Sequence, residues 1–282
     1  MEIKFFVIQE FWMNSDVRKM FEENLGQDYD IFYHKRPQKS DAVATLVSHR
    51  FLAIDIQNHQ LGPTDRVAML LRIAPSEGIM TACLSEDPSH ETAEERWPEA
   101  DIPSFLLVNT HLSFDYGNLW AESIRKTQAK CLIDIVDSYH SDLQRYSSDY
   151  ASTGIPTPDY TSRQQELSLF KECLSKRRVS TAIELPPTIL AGDINGMDDP
   201  VTDYFFSKNY RSTRKHITSK SRAVTHLTHC NKEIEADQIW LSNWAEGSSA
   251  KEIEAEGVTM SLEVSTVVSP PASGPDVAQT TC

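Results

Sequence analysis

Short apolar runs of strand length, several of them closed by a small polar signature, limit most severely what this chain can become. The runs are Ile3 to Ile8, Ala42 to Val47, Val67 to Ile73, Phe105 to Asn109, Thr188 to Ala191 and Gln238 to Leu241. Each is bounded by polar residues and reads as a buried or half-buried strand. The polar tips are Gln9-Glu10 after the first run, Asn109-Thr110-His111-Leu112 at the end of the fourth, Gly192-Asp193-Ile194-Asn195-Gly196 after the fifth, and Asp237 at the head of the sixth.

Between the runs, Leu119 to Tyr139 places Ile124, Cys131, Leu132 and Ile135 near a helical period and contains no Gly or Pro, so it predicts a helix. A shorter helix is expected after Glu10, capped by Asn14 or Ser15 ahead of Val17, Met20 and Phe21. The acidic segment near 75–103 reads as a long loop separating two runs that can pair as neighbouring antiparallel strands. The Ser-, Thr-, Tyr- and Pro-rich stretch near 141–187, with a short helix at Gln164 to Lys176 running into Lys176-Arg177-Arg178, reads as a surface insertion. The expected organisation is therefore one domain over 1–243, carrying both insertions, followed by a disordered tail over 244–282 that has few large apolar side chains.

With 282 residues, 40% of them hydrophobic, the chain can bury one substantial core. A net charge of -14 argues against broad, non-specific nucleic-acid binding, which a basic surface normally supplies; it does not exclude a nuclease, whose site itself gathers carboxylates. The cysteines Cys83, Cys131, Cys173, Cys230 and Cys282 are scattered and form no CxxC pair, which fits a reducing, intracellular setting, cytoplasmic or nuclear. No stretch approaches the roughly 20 apolar residues of a membrane span, and no signal peptide is visible. A monomer is the expectation.

Each polar tip has a chemical reading and a plainer one. Asp193 and Asn195, two apart at a strand end, point to one side, where a carboxylate and an amide can hold a water and a phosphoryl oxygen together; Gly, Asp and Asn also make ordinary turns. An EF-hand starting at Asp193 would need suitable residues at its fifth, sixth and twelfth positions, which are Met197, Asp198 and Tyr204, so it fails. His111 can stabilise phosphoryl charge or pass a proton, or be a structural histidine. Glu10 suits a hard cation such as Mg²⁺, or is a solvated glutamate. Asp237 can bind metal or orient a histidine, or end a turn. His226, His229, Cys230 and Asp237 form at best an irregular zinc pattern.

Taken together and in order, these tips resemble the endonuclease/exonuclease/phosphatase superfamily, which includes abasic-site endonucleases, sphingomyelinases, inositol-phosphate phosphatases and the nocturnin- and Angel-type deadenylases. Asp65-Arg66-Val67-Ala68 and His226-x-x-His229 before Asp237-Gln238-Ile239-Trp240-Leu241 add a likeness to its plant and algal branch. Members of that branch often carry calcium-binding EF-hands, and no such loop is present here. The resemblance spans about Ile3 to Asn243 and implies a four-layer α/β sandwich of two facing, mostly antiparallel sheets. It implies Glu10 as ligand of Mg²⁺ or Mn²⁺, His111 as a phosphate-side stabiliser and Asp193 as the group that orients or deprotonates water. Asn195 would hold a phosphoryl oxygen, and Asp237 would orient a further histidine. Family members also have an asparagine strand before Gln9-Glu10 and a Ser-Asp-His after Asp237. Only eight residues precede Gln9 and no histidine follows Asp237, so the chain reads as a fragment lacking a strand at each end; the alternative is that His226 or His229 fills the missing role, or that they are structural.

The acid-free basic run Lys208, Arg211, Arg214, Lys215, Lys220 and Arg222 is a candidate phosphate-backbone contact, Arg211, Arg214 and Lys215 foremost, or else a solvated loop. Phe11, Trp12, Phe114, Tyr116 and Trp240 can stack bases or fill the core. The expected activity is divalent-metal-dependent phosphodiester hydrolysis, of RNA tails in the first place. The alternatives are a phosphorylated small molecule or lipid as substrate, or an inactive homologue that binds.

Overall fold

The computed structural model describes residues 3–76, 104–114, 118–149, 185–196, 200–213, 226–227, 233–234, 237–242 and 262–264. In chain order the elements are β1 (Phe5–Trp12), α1 (Ser15–Leu25), β2 (Tyr29–Lys35), β3 (Asp41–Ser48), β4 (Phe51–Gln60), β5 (Val67–Pro75) and β6 (Phe105–His111). They continue with α2 (Leu119–Asp149), β7 (Thr188–Asp193), α3 (Pro200–Ser207), β8 (Arg211–Ser212), β9 (His226–Leu227), β10 (Glu233–Ile234), β11 (Asp237–Ser242) and β12 (Leu262–Val264). One sheet has the order β12-β1-β3-β2 and the other β4-β5-β6-β7-β11-β8, while β9 and β10 pair by themselves. All pairings are antiparallel except β1 with β12 and β6 with β7.

Strand alternation builds the layers. Val67, Met69, Leu71 and Ile73 of β5 face the other sheet, where they join Phe5, Val7, Val43, Val47, Leu107 and Ile189 in a core between the two sheets. Their neighbours Ala68 and Leu70 face outward, with Leu106, Val108, Leu190 and Trp240, onto Leu132, Val136 and Tyr139 of α2 and Val201 and Phe205 of α3. On the far side, Ile8, Phe11, Ala44 and Leu46 pack beneath Val17, Phe21 and Leu25 of α1. The result is the expected four-layer α/β sandwich of two facing, mostly antiparallel sheets.

The expected strands all form, and β5 and β6 pair antiparallel as their flanking runs suggested. Six strands among the described residues were not legible: β2 and β4 lie at sheet edges, where half-exposed positions interrupt the continuous apolar run, and β8, β9, β10 and β12 are only two or three residues long. The first helix starts as expected, the Val17 amide donating to Asn14 Oδ1 at 2.7 Å. α2 runs on to Asp149, so the surface insertion expected from Ser141 begins at least nine residues later; the sequence contains no Gly or Pro before Gly154 to stop it. Its buried stripe passes through Ala121, Arg125, Gln128, Ala129, Leu132, Val136 and Tyr139; of the four residues that marked the period, only Leu132 is fully buried. Within the tail expected to be disordered, Leu262–Val264 pairs with β1, whose outer edge offers unpaired backbone groups. The helix expected at Gln164 to Lys176 and most of the 75–103 loop lie outside the described residues.

Asn109 of β6, fully buried between the sheets, supplies a polar clasp to this otherwise apolar core. Its Nδ2 donates to Ala44 O at 2.8 Å and Thr45 Oγ1 at 3.1 Å, and its Oδ1 accepts from Gln9 Nε2 at 2.9 Å. Replacing Asn109 with Leu strands the Gln9 amide and the Ala44 carbonyl without solvent. The expected loss is about 3 kcal/mol in urea unfolding, and a loss below about 1 kcal/mol would show that the clasp is not a stabilising element.

Candidate active site

Parallel pairing of β6 with β7 brings their C-terminal ends to the same rim, with His111 opposite Asp193. Antiparallel β11 then starts beside them, Asp237 opposite Asp193. Gly192 makes this close pairing possible, because a Cβ there would overlap the Thr110 carbonyl oxygen. Beyond β7 the chain is turned by Asn195, at φ 55°, and held by the Asn195 amide donating to Asp193 Oδ1 at 2.9 Å. Asn195 Nδ2 donates to Leu112 O at 2.9 Å, and Gln238 Nε2 donates to Gly196 O at 2.6 Å. Nδ2 has two hydrogens, and among the described residues Leu112 O is the one acceptor it meets.

Glu10 arrives from the other sheet. Between Ile8 and Phe11 the β1–β3 register slips, so Gln9 and Glu10 together oppose Val43. This bulge, with Glu10 at φ 53°, restores Phe11 to the α1 side and leaves Glu10 exposed at the rim. A non-glycine residue in that region stores strain of about 1 to 2 kcal/mol, and of the four such residues among those described, Glu10, Gln38, Asn195 and Asn209, two belong to the site.

The electrostatics are dominated by negative charge. Burial, and then the neighbouring charges of Asp237 and Glu10, push the Asp193 carboxyl up to about 7 against the pull of the Asn195 amide and Arg66. His111 is 2% exposed; burial, then the charges of Arg66 and Arg36, hold its pKa well below the ordinary histidine value. Its Nε2 lies 3.6 Å from Asp193 Oδ2, and its Nδ1 lies 2.9 Å from Arg66 Nη1. His111 therefore meets the site through Asp193 rather than from an open surface.

The structure thus brings Glu10, His111, Asp193, Asn195 and Asp237 to one end of the sandwich. It adds Arg66, which in the sequence stands only within the Asp65-Arg66-Val67-Ala68 motif, and Arg36, whose Nη1 and Nη2 reach Asp41 at 2.7 Å and Asp65 at 2.6 Å. The usable signal was position: Arg66 immediately precedes a buried strand that pairs with the His111 strand. Arg211 is exposed on β8, opposite Leu241 and four residues along β11 from Asp237, about 13 Å at the usual strand rise. β8 does run toward the Asp237 end, with Thr213 Oγ1 donating to Ile239 O at 3.3 Å. Arg214, Lys215, His229, Cys230 and Tyr116 lie outside the described residues. Phe11 and Trp240 are core residues, whereas Trp12 is 44% exposed.

Solved structures share this architecture at low sequence identity. The human Nocturnin catalytic domain, determined with a bound sulfate anion, matches with a TM-score of 0.50 and 17% identity, over 85% of this chain and 69% of that one. TDP2 of D. rerio in complex with a single-strand DNA product matches at 0.50 and 10% identity, over 87% and 73%. ANGEL2, a 2',3'-cyclic phosphatase in complex with adenosine-2',3'-vanadate, matches at 0.50 and 14%, over 85% and 70%. The chain has the fold of the endonuclease/exonuclease/phosphatase superfamily. No protein-family model and no curated protein matches its sequence.

The raised carboxyl of Asp193 has a measurable consequence. Its folded pKa lies above its unfolded value of 3.8, so the native state binds the extra proton between pH 4 and 7. The contribution of Asp193 to stability therefore falls as pH rises through that window and is flat above it. In chelator, Asp193→Asn is expected to be more stable than wild type by about 4 kcal/mol at pH 8, the difference closing toward pH 4. Parallel urea titrations across this range check it, and a pH-independent difference would contradict the shift.

Proposed function

We propose that this chain hydrolyses phosphoester bonds with a divalent cation, acting as a nuclease with RNA ends as the favoured substrate. The observation that carries the reading is Asp193. One carboxylate oxygen is tied to the Asn195 amide, the other faces His111, and two further carboxylates stand beside it at a strand-end rim.

The residues fit a hard cation. The like charges of Glu10 and Asp237 that push Asp193 upward are the kind of excess negative field that Mg²⁺ or Mn²⁺ relieves. Such ions take one or two carboxylates and keep several waters. No group of three His, Cys, Asp or Glu side chains closes on one point among the described residues, so Glu10 would hold the ion with waters completing its shell. When bound, it neutralises charge that develops on the phosphoryl group.

The chain's own residues do the rest. Ionised Asp193 accepts, at Oδ2, the proton of a water that attacks phosphorus in line. A phosphorus–oxygen bond forms to that water and the ester bond opposite breaks, the leaving oxygen taking a proton from solvent. The remaining N–H of Asn195 Nδ2 orients a phosphoryl oxygen. The neutral imidazole of His111 backs Asp193, and its 3.6 Å separation is of the kind that shortens when substrate binds. Support for a nucleic-acid substrate comes from Trp12, exposed two residues beyond Glu10 where a base can stack, and from Arg211, exposed on β8, a strand that runs toward the Asp237 end. The DNA product in the TDP2 structure and the adenosine ligand of ANGEL2 agree with it. No helix among the described residues is long and apolar enough to cross a membrane.

Labelled single-stranded RNA and matched DNA, incubated with Mg²⁺ or chelator, test the proposal. Cation-dependent cleavage should fall at least about 100-fold in Asp193→Ala. A folded wild type that cleaves neither polymer but releases phosphate from inositol phosphates or nucleotides would replace the nuclease by a phosphatase. Turnover unchanged in the variant would remove Asp193 from the mechanism.

A second expected outcome concerns Glu10. Glycine adopts positive φ without strain, so Glu10→Gly should raise stability by about 1 kcal/mol in urea melts while abolishing cation-dependent turnover. A destabilised variant would show that the Glu10 side chain contributes more to folding than its backbone strain costs.

A further inference from the structure

The turn entering β5 is fixed from several directions. The Leu61 amide donates to Arg66 O at 2.8 Å, Thr64 Oγ1 donates to Leu61 O at 2.8 Å, and the Arg66 amide donates to Thr64 Oγ1 at 3.3 Å. Gln128 of α2 ties this turn to the segment after His111, its Nε2 donating to Thr64 Oγ1 at 3.1 Å and Ser113 Oγ at 2.8 Å, its Oε1 accepting from the Ser113 amide at 2.9 Å. This accounts for a glutamine on the buried stripe of α2. Arg36 holds Asp65 from the other sheet. A backbone so held has little freedom to re-aim Arg66, whose Nη1 meets His111 Nδ1 at 2.9 Å.

The chemistry of that contact is restrictive. Guanidinium carries donors only and stays protonated, so a ring nitrogen against it must be an acceptor; imidazolium has no acceptor, and a neutral ring then has its proton on the other nitrogen. We propose that Arg66 is a positioning residue: by donating to Nδ1 it holds His111 neutral, with its single N–H on Nε2 facing Asp193 Oδ2. Asp193 is then fixed on one oxygen by the Asn195 amide and faced on the other by a neutral N–H, which leaves it the only proton acceptor of the three groups. The inference deepens the hydrolase reading and rests on it for the catalytic consequence alone. Without Arg66, His111 would stand beside Asp193 with a vacant Nδ1 lone pair, free to take a second proton and form an ion pair that spends the carboxylate. The charged groups facing the ring are Arg66 from the β5 turn, Arg36 from the end of β2 and Asp193 of β7. Arg36 opposes that second proton and Asp193 favours it.

The experiment is ¹⁵N spectroscopy of the histidine rings in the full chain with Mg²⁺, from about pH 5.5 to 8.5, for wild type, Arg66→Lys and Arg66→Met, with His111→Gln assigning the resonance. Wild type and Arg66→Lys, which keeps a donor-only cation, should show an unprotonated Nδ1 and a protonated Nε2 throughout. In Arg66→Met the His111 ring should gain a proton within the range. A wild-type ring protonated on Nδ1, or a ring in Arg66→Met indistinguishable from wild type, overturns the proposal. Thermal melts of each variant separate loss of the fold from loss of the contact, and Arg66→Lys preserves the test if Arg66→Met does not fold. In turnover, Arg66→Met should lose about 10- to 100-fold in kcat with KM changed little, and Arg66→Lys should recover most of it. A raised KM at unchanged kcat would make Arg66 a substrate contact and sink the positioning role. The ring spectra require no turnover: the stated ring behaviour in a chain that hydrolyses nothing would uphold the pairing and refute the hydrolase reading.

Discussion

Everything at the reactive rim depends on one buried amide. Asn109 sits where β6 crosses behind β1 and β3, and its hydrogen bonds to Gln9, Ala44 and Thr45 are the polar fixture beside a hydrophobic core of Phe, Val, Leu, Ile, Met and Ala. Apolar packing between sheets is tolerant of small slides, since dispersion contacts are individually weak and non-directional. Directional bonds with no solvent alternative are not tolerant, so the clasp sets where one sheet lies on the other. Gln9 adjoins Glu10 and Asn109 precedes His111 by two residues, so the same bonds set the distance between the carboxylate of one sheet and the histidine of the other.

Around that fixture the molecule concentrates features that work against stability. Glu10 and Asn195 hold left-handed backbone conformations, and Asp193 is a carboxyl that burial and two like charges make hard to ionise. Arg36 and Arg66 place two guanidinium groups close enough for each to raise the cost of charge on the other. Such arrangements persist only where surrounding structure over-determines them. Here the over-determination is visible: the bulge in β1, the Gly192 contact with β6, the Gln238 bond to Gly196 and the Gln128 bridge all converge on the rim. A cluster of acids whose mutual charge makes Asp193 hard to ionise is the kind of field that the proposed cation would relieve.

The helices serve the rim as much as the core. α2 is the crossover that makes β6 and β7 parallel, and parallel strands are what deliver His111 and Asp193 to the same end. An antiparallel connection would have put them at opposite ends of the sheet. Its polar inward residues, Arg125 and Gln128, disturb the hydrophobic period that the sequence presents, which explains why the stripe deduced from Ile124, Cys131 and Ile135 is rotated from the one that is buried.

The sequence by itself determined the central strands, the two helix starts and the residue types at the strand tips. Continuous apolar runs, an Asn cap and Gly-Asp-x-Asn after a strand are local signals, and they act through local sterics and burial. It did not reveal the edge strands β2 and β4, whose half-exposed faces lack that pattern, nor the pairing of Leu262–Val264 with β1, which depends on an open sheet edge more than two hundred residues away in the chain. It could name Glu10, His111, Asp193, Asn195 and Asp237 but not their mutual roles. Tertiary structure alone decided that His111 is buried behind Asp193, that Arg66 reaches its ring, and that burial with the charges of Asp237 and Glu10 raises the proton affinity of Asp193. Those facts are distances between groups on different strands, and charge and hydrogen bonding depend on distance and solvent exclusion, neither of which is written in the order of residues.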